Sequence, residues 1–255
     1  MTALLWAILA QADAGLTRRE WKVEDVSREA LLHLPARDRK SPAAAPVVFA
    51  FHGHGGTARN AAAKFRLHKL WPEAIVVYMQ GLPTPGMTDP EGRKPGWQKQ
   101  TGDQGDRDLK FFDAVLATLR KDHSIDEDRV YATGHSNGGG FTYLLWSSRA
   151  DVFAAFAPSA AAGRNARDLA PKPALHVAGE KDTVVPFEAQ KKAMEAVRES
   201  NGCEEKGEEW DKGCLIYASK KDAPFVSFIH PGDHTYAAEA PALIVRFFKG
   251  CVRKK

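Results

Sequence analysis

The sequence predicts an α/β fold, in which helices cover both faces of a mostly parallel central sheet. Short, uniformly apolar runs at residues 47–51 and 75–79 alternate with stretches of helical periodicity. Strands of this kind are typical of parallel sheets that are buried on both faces. A further strand ends directly before Gly-His-Ser-Asn-Gly at residues 134–138, and a helix begins there. With 255 residues, we expect a single folded domain.

The first half of the chain contains the early strands and a long loop. Two strands are predicted within residues 21–34, and residues 57–71 predict a helix between the two buried strands. Residues 81–105 are rich in Pro and Gly, which predicts a surface loop on the rim of the sheet. Long loops in compact domains are often functional.

The second half repeats the alternation. Asp108 has the character of an N-cap for a helix that extends to Lys121, because the apolar residues after it recur with a helical period. The remaining strands are predicted at residues 129–133, 153–157, 174–178 and 225–229, and the remaining helices at 137–149, 187–200 and 237–248.

Composition excludes several classes of protein. The formal charge is +4 and the basic residues are scattered, so we expect no nucleic-acid binding, which favours a concentrated basic stripe and a recognition motif. The longest apolar run, residues 3–10, is far shorter than the roughly 18 residues that a transmembrane helix needs. No membrane span is expected.

Residues 1–14 are interpreted as a signal peptide. The apolar run at residues 3–10 precedes Ala12-Asp13-Ala14, an A-x-A pattern of the kind that precedes cleavage. The segment has no Lys or Arg, so a frayed terminus or a wrongly assigned start is the alternative. We expect a secreted or periplasmic protein whose catalytic domain spans residues 15–255.

Ser136 is the candidate nucleophile. It is the Ser of a G-x-S-x-G motif in the strand-turn-helix context in which such a Ser projects above a sheet. The turn requires a strained backbone at Ser136, and Gly134 and Gly138 lack the Cβ atoms that would collide there.

A Ser hydroxyl needs a base, and the base needs an acid that orients it. With the order Ser, acid, His, the candidate bases are His230 and His234, and we favour His234 because it lies in the loop before the last helix. Asp182 is favoured as the acid over Glu180 because it follows the strand at residues 174–178, at the sheet edge where sites assemble.

The developing oxyanion needs two prepositioned amides. We expect one from Asn137 and one from the turn at residues 52–56, where His54 is favoured over Gly55. The pair His52 and His54 has no recurring carboxylate or Cys partners at ligand spacing, so we expect no metal.

These motifs resemble those of the secreted α/β-hydrolases grouped as polyhydroxybutyrate depolymerases and feruloyl esterases. The resemblance extends from about residue 31 to 248 and includes residues 51–56, 96–97, 105–108, 128–139, 182–186, 201–203, 214 and 232–235. It implies an α/β-hydrolase fold and a serine esterase that hydrolyses feruloyl, acetyl or hydroxyalkanoate esters through an acyl-enzyme, without a cofactor. The implied triad is Ser136, Asp182 and His234, with oxyanion amides at His54 and Asn137.

The sequence departs from the family at Asp233 and Tyr236, where members usually have Gly and Trp, so the acyl pocket is not predicted by resemblance. Trp97 either stacks on a substrate ring or covers the core. No substrate-binding domain or linker is visible, and we expect a monomer that acts on small or oligomeric esters. One alternative is a serine peptidase of the same fold. The other is a binding protein, in which we would expect a residue of the triad to be missing.

The odd number of Cys residues predicts one disulfide and one remaining thiol. We pair Cys203 with Cys214 because the polar segment between them contains two Gly residues and is able to fold back. Cys251 is then free or pairs between chains. The alternative is three reduced thiols.

Overall fold

The structure is a computed structural model that describes residues 15–36, 43–164 and 166–254. Within these residues, ten strands form one sheet in the order β1-β2-β4-β3-β7-β8-β9-β12-β11-β10. The strands of this sheet are β1 (Thr17–Val23), β2 (Val26–His33), β3 (Ala45–Phe51), β4 (Ile75–Met79), β7 (Ile125–His135), β8 (Ala155–Ser159), β9 (Ala174–Gly179), β10 (Glu208–Asp211), β11 (Cys214–Tyr217) and β12 (Phe225–His230). The short strands β5 (Leu82–Pro83) and β6 (Pro95–Gly96) form a separate pair.

The centre of the sheet is parallel, as the apolar strands predict. Strands β4, β3, β7, β8, β9 and β12 are consecutive and parallel, whereas β1 and β2 extend one edge and β11 and β10 the other edge in antiparallel fashion. The hairpin of β10 and β11 was not predicted, because its first strand is charged and lies at the edge, where hydrophobic alternation is weak.

Helices cover both faces of the sheet. The side chains of β3 show why, since Val47 and Phe49 lie in one apolar core and Val48 and Ala50 in the other. The first core is covered by α3 (Arg107–Asp122), α4 (Asn137–Arg149) and α5 (Phe187–Ser200), and the second by α1 (Ala58–Phe65), α2 (Leu67–Leu70) and α6 (Ala240–Lys249). The predicted α/β architecture is confirmed. None of the helices in the described part of the chain is both long enough and apolar enough to span a bilayer.

Three helix boundaries differ from prediction. The last helix begins at Ala240 instead of residue 237. The helix predicted at residues 57–71 is interrupted at Arg66, whose left-handed φ of 50° ends α1 while its N–H donates to the carbonyl of Ala62. Asp108 does not cap α3. It lies inside the first turn, fully buried, and its Oδ1 accepts a hydrogen bond from Arg28 at 2.7 Å.

The register of the parallel strands determines where the loops meet. Phe51 at the end of β3 pairs with Gly134 near the end of β7, and Gly179 at the end of β9 pairs with His230 at the end of β12. The carboxyl ends of these strands therefore share one edge of the sheet, which is the edge where parallel α/β sheets assemble their sites.

Candidate active site

Ser136 occupies a strained turn between β7 and α4. Its φ of 57° and ψ of −121° lie in a region that residues other than Gly rarely adopt, as the motif predicts. Its N–H donates to the carbonyl oxygen of Ser159 at 2.8 Å. A Cβ atom on Gly134 would collide with the carbonyl of Gly138, and one on Gly138 would collide with that of Phe51. The turn therefore requires Gly at both positions.

The structure brings Ser136, His234 and Asp182 together in one hydrogen-bonded series. The Ser136 hydroxyl donates to His234 Nε2 at 2.8 Å, and His234 Nδ1–H donates to Asp182 Oδ2 at 2.8 Å. These residues come from the ends of β7, β12 and β9, which explains how positions 46 and 52 residues apart meet. His230 remains within β12, where its Nδ1 accepts a hydrogen bond from Gly232 N. Glu180 has no side-chain hydrogen bond or ion pair to this series within the described residues.

The carboxylate of Asp182 is held by more than the His. Its Oδ1 accepts hydrogen bonds from the N–H groups of Val184 and Val185, both at 2.9 Å, and its Oδ2 accepts one from Gln190 Nε2 at 2.9 Å. The residue is only 4% exposed. Because donors bind both of its oxygens, the carboxylate is held in one orientation, with Oδ2 toward His234.

A buried polar series continues behind Asp182. Gln190 Nε2 also donates to the carbonyl oxygen of Val185 at 2.8 Å, so its Oε1 is the acceptor that faces His176 Nε2 at 3.4 Å. His176 Nε2 must then carry the proton, and His176 Nδ1 accepts from the hydroxyl of Tyr143 at 2.9 Å. Burial lowers the pKa of His176 to about 4, so the ring is neutral at physiological pH.

His135 adds a neutral ring beside His234. Its ring centroid lies 5.1 Å from that of His234, and its Nδ1 lies 3.2 Å from the hydroxyl of Ser159. Burial, followed by the nearby His234, lowers the pKa of His135 to about 3. His135 is therefore uncharged at neutral pH and does not oppose the formation of positive charge on His234.

Among the described residues, the backbone N–H groups of His54 and Asn137, which lie near Ser136, have no hydrogen-bond acceptor. The N–H of Gly55 donates to Pro95 O at 2.7 Å and that of Gly56 to Gly53 O at 2.9 Å. Of the two amides considered for the turn, His54 is thus the available one, whereas Gly55 is already engaged.

Ser136 lies where two recesses meet. The larger, of about 700 Å³, also contacts His234 and extends toward α4. It has apolar walls from Met87, Leu144, Leu169, Val184 and Val185. The smaller, of about 410 Å³, extends over α1 and is lined by Asn60, Lys64, Phe65 and Tyr236. The two recesses therefore have room for a molecule that extends in two directions from an atom beside Ser136.

The two His residues of the turn at residues 52–56 have separate partners. His52 Nδ1–H donates to Gly53 O at 2.8 Å and its Nε2 accepts from Gly81 N at 2.9 Å, whereas His54 Nε2 lies 3.2 Å from Asp89 Oδ2. Burial lowers the pKa of His52 to about 4. Among the residues that the structure describes, no group of three or more metal-ligating side chains is suited to hold an ion.

Several known proteins are similar to this chain. Residues 92–163, which include Ser136, match the prolyl oligopeptidase family. A protein named probable feruloyl esterase C from Aspergillus clavatus is 29% identical over 180 residues, which cover 70% of this chain and 63% of that protein. The chain is similar in sequence to esterases and has the α/β-hydrolase fold.

Solved structures of α/β-hydrolase esterases share the fold. An acetyl xylan esterase from Aspergillus awamori has a TM-score of 0.70 at 14% identity, covering 91% of this chain and 99% of that chain. A ferulic acid esterase from Anaeromyces mucronatus, solved with ferulic acid, has a TM-score of 0.59 at 17% identity, covering 92% and 90%. The matched segment spans less than two thirds of the Aspergillus clavatus relative.

The predicted contact of Trp97 with substrate is wrong. Its side chain is fully buried, stacks on Phe141 with a centroid distance of 5.3 Å, and meets Phe51 edge-on at 5.2 Å. The indole N–H donates to His52 O at 2.9 Å. Trp97 is thus the alternative that the sequence left open, a core residue under the loop.

The predicted disulfide between Cys203 and Cys214 is also wrong. Both are free, because Cys203 pairs with Ser219 while Cys214 begins β11. The six residues from 214 to 219 are nearly extended and place the two Cys residues about 16 Å apart, whereas a disulfide allows about 7 Å at most. Cys251 is free as well, and its burial disfavours the pairing between chains that the sequence left open.

The sequence did not identify Gln190 or His176 as part of this site. The helical spacing of α5 is a signal that could have identified Gln190 as buried. Its buried face follows the positions Gln190, Ala193, Met194 and Val197. A polar residue on such a face requires a buried partner. The sequence alone does not specify which partner that is.

Proposed function

We propose that this protein is a serine-dependent carboxylic ester hydrolase with an acyl-enzyme mechanism. The observation that carries the proposal is the series from Ser136 through His234 to Asp182, at the point where two recesses meet. The esterase relatives and the strained turn at Ser136 support the same conclusion. In this proposal, Ser136 is the nucleophile, His234 the base and Asp182 the residue that orients the base.

Each proposed step follows from these contacts. The Ser136 Oγ attacks the ester carbonyl carbon while its proton moves to His234 Nε2, and the N–H groups of His54 and Asn137 stabilise the oxyanion. Collapse of the tetrahedral intermediate breaks the bond to the alcohol oxygen, which takes the proton from Nε2. Water then attacks the acyl-enzyme, gives a proton to Nε2, and the second collapse returns that proton to Ser136 Oγ and releases the carboxylic acid.

The recesses support esters of aromatic or short acids as substrates. The larger recess is lined by apolar residues together with polar ones such as Gln98, Gln100 and Arg164, and provides more room than an acetyl group needs. We therefore propose feruloyl-type esters first and acetyl esters second. Hydroxyalkanoate esters have less support, because neither the relative nor the solved esterases reported above is named as a polyhydroxybutyrate depolymerase.

The test is a kinetic panel on the purified protein. It comprises methyl ferulate, a hydroxybutyrate oligomer and 4-nitrophenyl esters from acetate to decanoate, each with wild type and Ser136→Ala. We expect hydrolysis of methyl ferulate and the short esters, and a loss of about 10⁴- to 10⁶-fold in kcat with Ser136→Ala. Ser148→Ala is the matched control, because Ser148 lies on the same helix and its hydroxyl only donates to Leu144 O.

A result of more than about 10% residual activity in Ser136→Ala would refute the assigned nucleophile, and a preference for decanoate over acetate would refute the substrate class. Labelling by a fluorophosphonate provides a second readout. Wild type should lose activity as one phosphonate adds to Ser136, while Ser136→Ala should remain unlabelled.

A serine peptidase is the second candidate, favoured by the match of residues 92–163 to the prolyl oligopeptidase family. That match covers less than a third of the chain and includes the turn at Ser136. An acyl-amino acid 4-nitroanilide in the same panel separates the two. Cleavage of the anilide at a rate comparable to that of the matching ester would favour the peptidase.

Export is proposed on the signal-like pattern at residues 1–14, which lie outside the described residues. Expression of the full chain with its own N-terminus, followed by N-terminal sequencing of the exported fraction, tests it. Cleavage after Ala14 is expected. Retention of the uncut chain inside the cell would refute this part of the proposal.

A further inference from the structure

The segment Pro95–Trp97 contacts both parts of the chain that carry the proposed oxyanion amides. On one side, Pro95 O accepts the N–H of Gly55, the residue after His54, at 2.7 Å. On the other side, Trp97 N donates to Asn137 Oδ1 at 2.7 Å, and Asn137 Nδ2 donates to Trp97 O at 3.1 Å. One tripeptide is therefore hydrogen-bonded both to the turn that contains His54 and to Asn137, which are more than 80 residues apart in sequence.

The contacts between these parts leave no free space. A Cβ atom on Gly96 would lie 2.7 Å from His54 Nδ1 and 2.9 Å from Asn137 Oδ1, so the backbone of Gly96 is wedged between the two side chains. The indole of Trp97 adds a fourth hydrogen bond, from its N–H to His52 O at 2.9 Å. Movement of the segment would therefore displace the turn and the start of α4 together.

The segment is itself anchored from behind. Gln98 N donates to Asp108 Oδ2 at 2.8 Å, and Gln98 Oε1 accepts from Asp108 N at 3.0 Å. Asp108 is in turn paired with Arg28 at 2.7 Å, and both side chains are almost completely inaccessible to solvent. Both carboxylate oxygens of Asp108 accept hydrogen bonds, and Arg28 Nη1 also donates to Arg107 O at 2.9 Å, so these buried contacts hold Pro95–Trp97 in place from behind.

We propose that Asn137 acts twice, through its backbone N–H as an oxyanion donor and through its carboxamide as the positioning group that, with Trp97, sets the separation of the two amides. This inference rests on the proposed function. Asn137 and Trp97 are positioning residues in this role, since neither side chain contacts the reacting atoms. The stabilisation of an oxyanion depends on donor placement, so a shift of the turn relative to α4 weakens it without removing any donor.

The decisive variant is Asn137→Ala, because it keeps the backbone N–H and removes only the carboxamide. If Asn137 contributes only its backbone, this variant has the kinetics of wild type. We expect kcat for 4-nitrophenyl acetate to fall by about 10²-fold, the range for a misplaced or missing oxyanion donor, while KM changes less than about 3-fold. Ser148→Ala, on the same helix, should remain within about 2-fold of wild type.

A second readout separates this role from a general loss of structure. The affinity for a trifluoromethyl ketone, which forms a tetrahedral oxyanion on the Ser, should fall by the same factor as kcat/KM. The affinity for methyl ketones of the same shape, which bind mainly without that charge, should fall much less. Equal loss for both ketones would overturn the proposal, as would less than about 3-fold loss of kcat.

Two further variants keep the test informative if Asn137→Ala does not fold. Asn137→Asp keeps the acceptor for Trp97 N and loses the donor to Trp97 O, and Trp97→Phe keeps the ring and loses the bond to His52 O. Both should lower kcat, by about 30-fold and about 5-fold, with KM nearly unchanged. Wild-type rates in both would overturn the proposal. Absence of ester hydrolysis in wild type would instead refute the proposed function itself.

Discussion

The two sides of Ser136 are built in different ways. On the acid-base side, His234, Asp182, Gln190 and His176 form a series of side chains, each of which offers one specific donor or acceptor to the next. On the proposed oxyanion side, the proposed donors are the backbone N–H groups of His54 and Asn137, and the hydrogen bonds of Trp97 hold the backbone around them.

Because of this difference, substitutions on the two sides should lower activity in different ways. On the acid-base side, substitution of His234 or Asp182 removes the proposed base or its orienting group outright, so the loss is large, and the loss of His234 is open to chemical rescue from solution. The backbone donors of the oxyanion side survive substitution, so losses there are smaller and come from displacement. The predictions below test this contrast, beginning with the largest expected effect.

His234→Ala should reduce kcat by about 10⁴- to 10⁶-fold, since it removes the proposed base of the reaction. His230→Ala should have a mild effect, because His230 contacts Gly232 rather than Asp182. Steady-state hydrolysis of 4-nitrophenyl acetate with and without added imidazole measures both. Imidazole should restore part of the activity of His234→Ala and none in Asn137→Ala. Reversed behaviour of the two His variants would show that His230 is the base.

Asp182→Asn should lower kcat by about 10⁴-fold, because an amide at this position no longer selects the His234 tautomer that accepts the Ser proton. The N–H groups of Val184 and Val185 still have an oxygen to bind, so the fold should be retained. Circular dichroism and kcat together measure this. Glu180→Gln is the control, and equal losses in both variants would contradict the assignment of Asp182.

Gln190→Leu should lower kcat by about 10-fold, equivalent to roughly 1.4 kcal/mol, the scale of one hydrogen bond to a charged group. The substitution removes a donor to Asp182 and leaves His176 without its acceptor. Lys191→Gln, at the exposed neighbouring position, is the control. A variant with full activity and unchanged stability would show that Asp182 needs only His234 and the backbone.

Acid should destabilise the fold through its buried His residues. Burial lowers the pKa of His52 and His176 to about 4 and that of His135 to about 3. Between about pH 6.5 and about pH 4, the unfolded chain binds protons at these His residues and the folded chain does not, so stability decreases as pH falls. Each His contributes up to about 1.4 kcal/mol per pH unit.

Urea unfolding at pH 7, 6 and 5 measures this dependence, which involves one His from the oxyanion side and two from the acid-base side. His176→Gln should make the decrease shallower, because one of the three groups is removed. A free energy of unfolding that stays constant from pH 7 to pH 5 would contradict the burial of these rings as neutral groups.

The smallest expected effect concerns the Cys residues, which lie away from both sides. Because Cys203 and Cys214 are free, a reducing agent should leave the thermal midpoint and kcat unchanged. Mass spectrometry of alkylated, non-reduced protein should find all three thiols. A decrease of the midpoint by several degrees in reducing agent would restore the disulfide that the sequence suggested.

The local sequence pattern predicted the central strands and the turn at the candidate nucleophile. The apolar runs predicted the central strands, since a strand buried on both faces requires them, and the G-x-S-x-G motif predicted the turn at Ser136. The choice of Asp182 and His234 needed only chain order and the ends of two strands. Helix boundaries were less certain, as at Arg66, because the break arises from packing rather than from a Gly or Pro.

The sequence by itself determined the α/β fold and which residues stand at the carboxyl ends of the strands, because both follow from local periodicity. Only the tertiary structure decided the burial of Trp97, the distance between Cys203 and Cys214, and the series from Asp182 to His176. The physical reason is that each of these depends on how distant segments lie against one another, and a loop or hairpin carries no periodic pattern that specifies its neighbours.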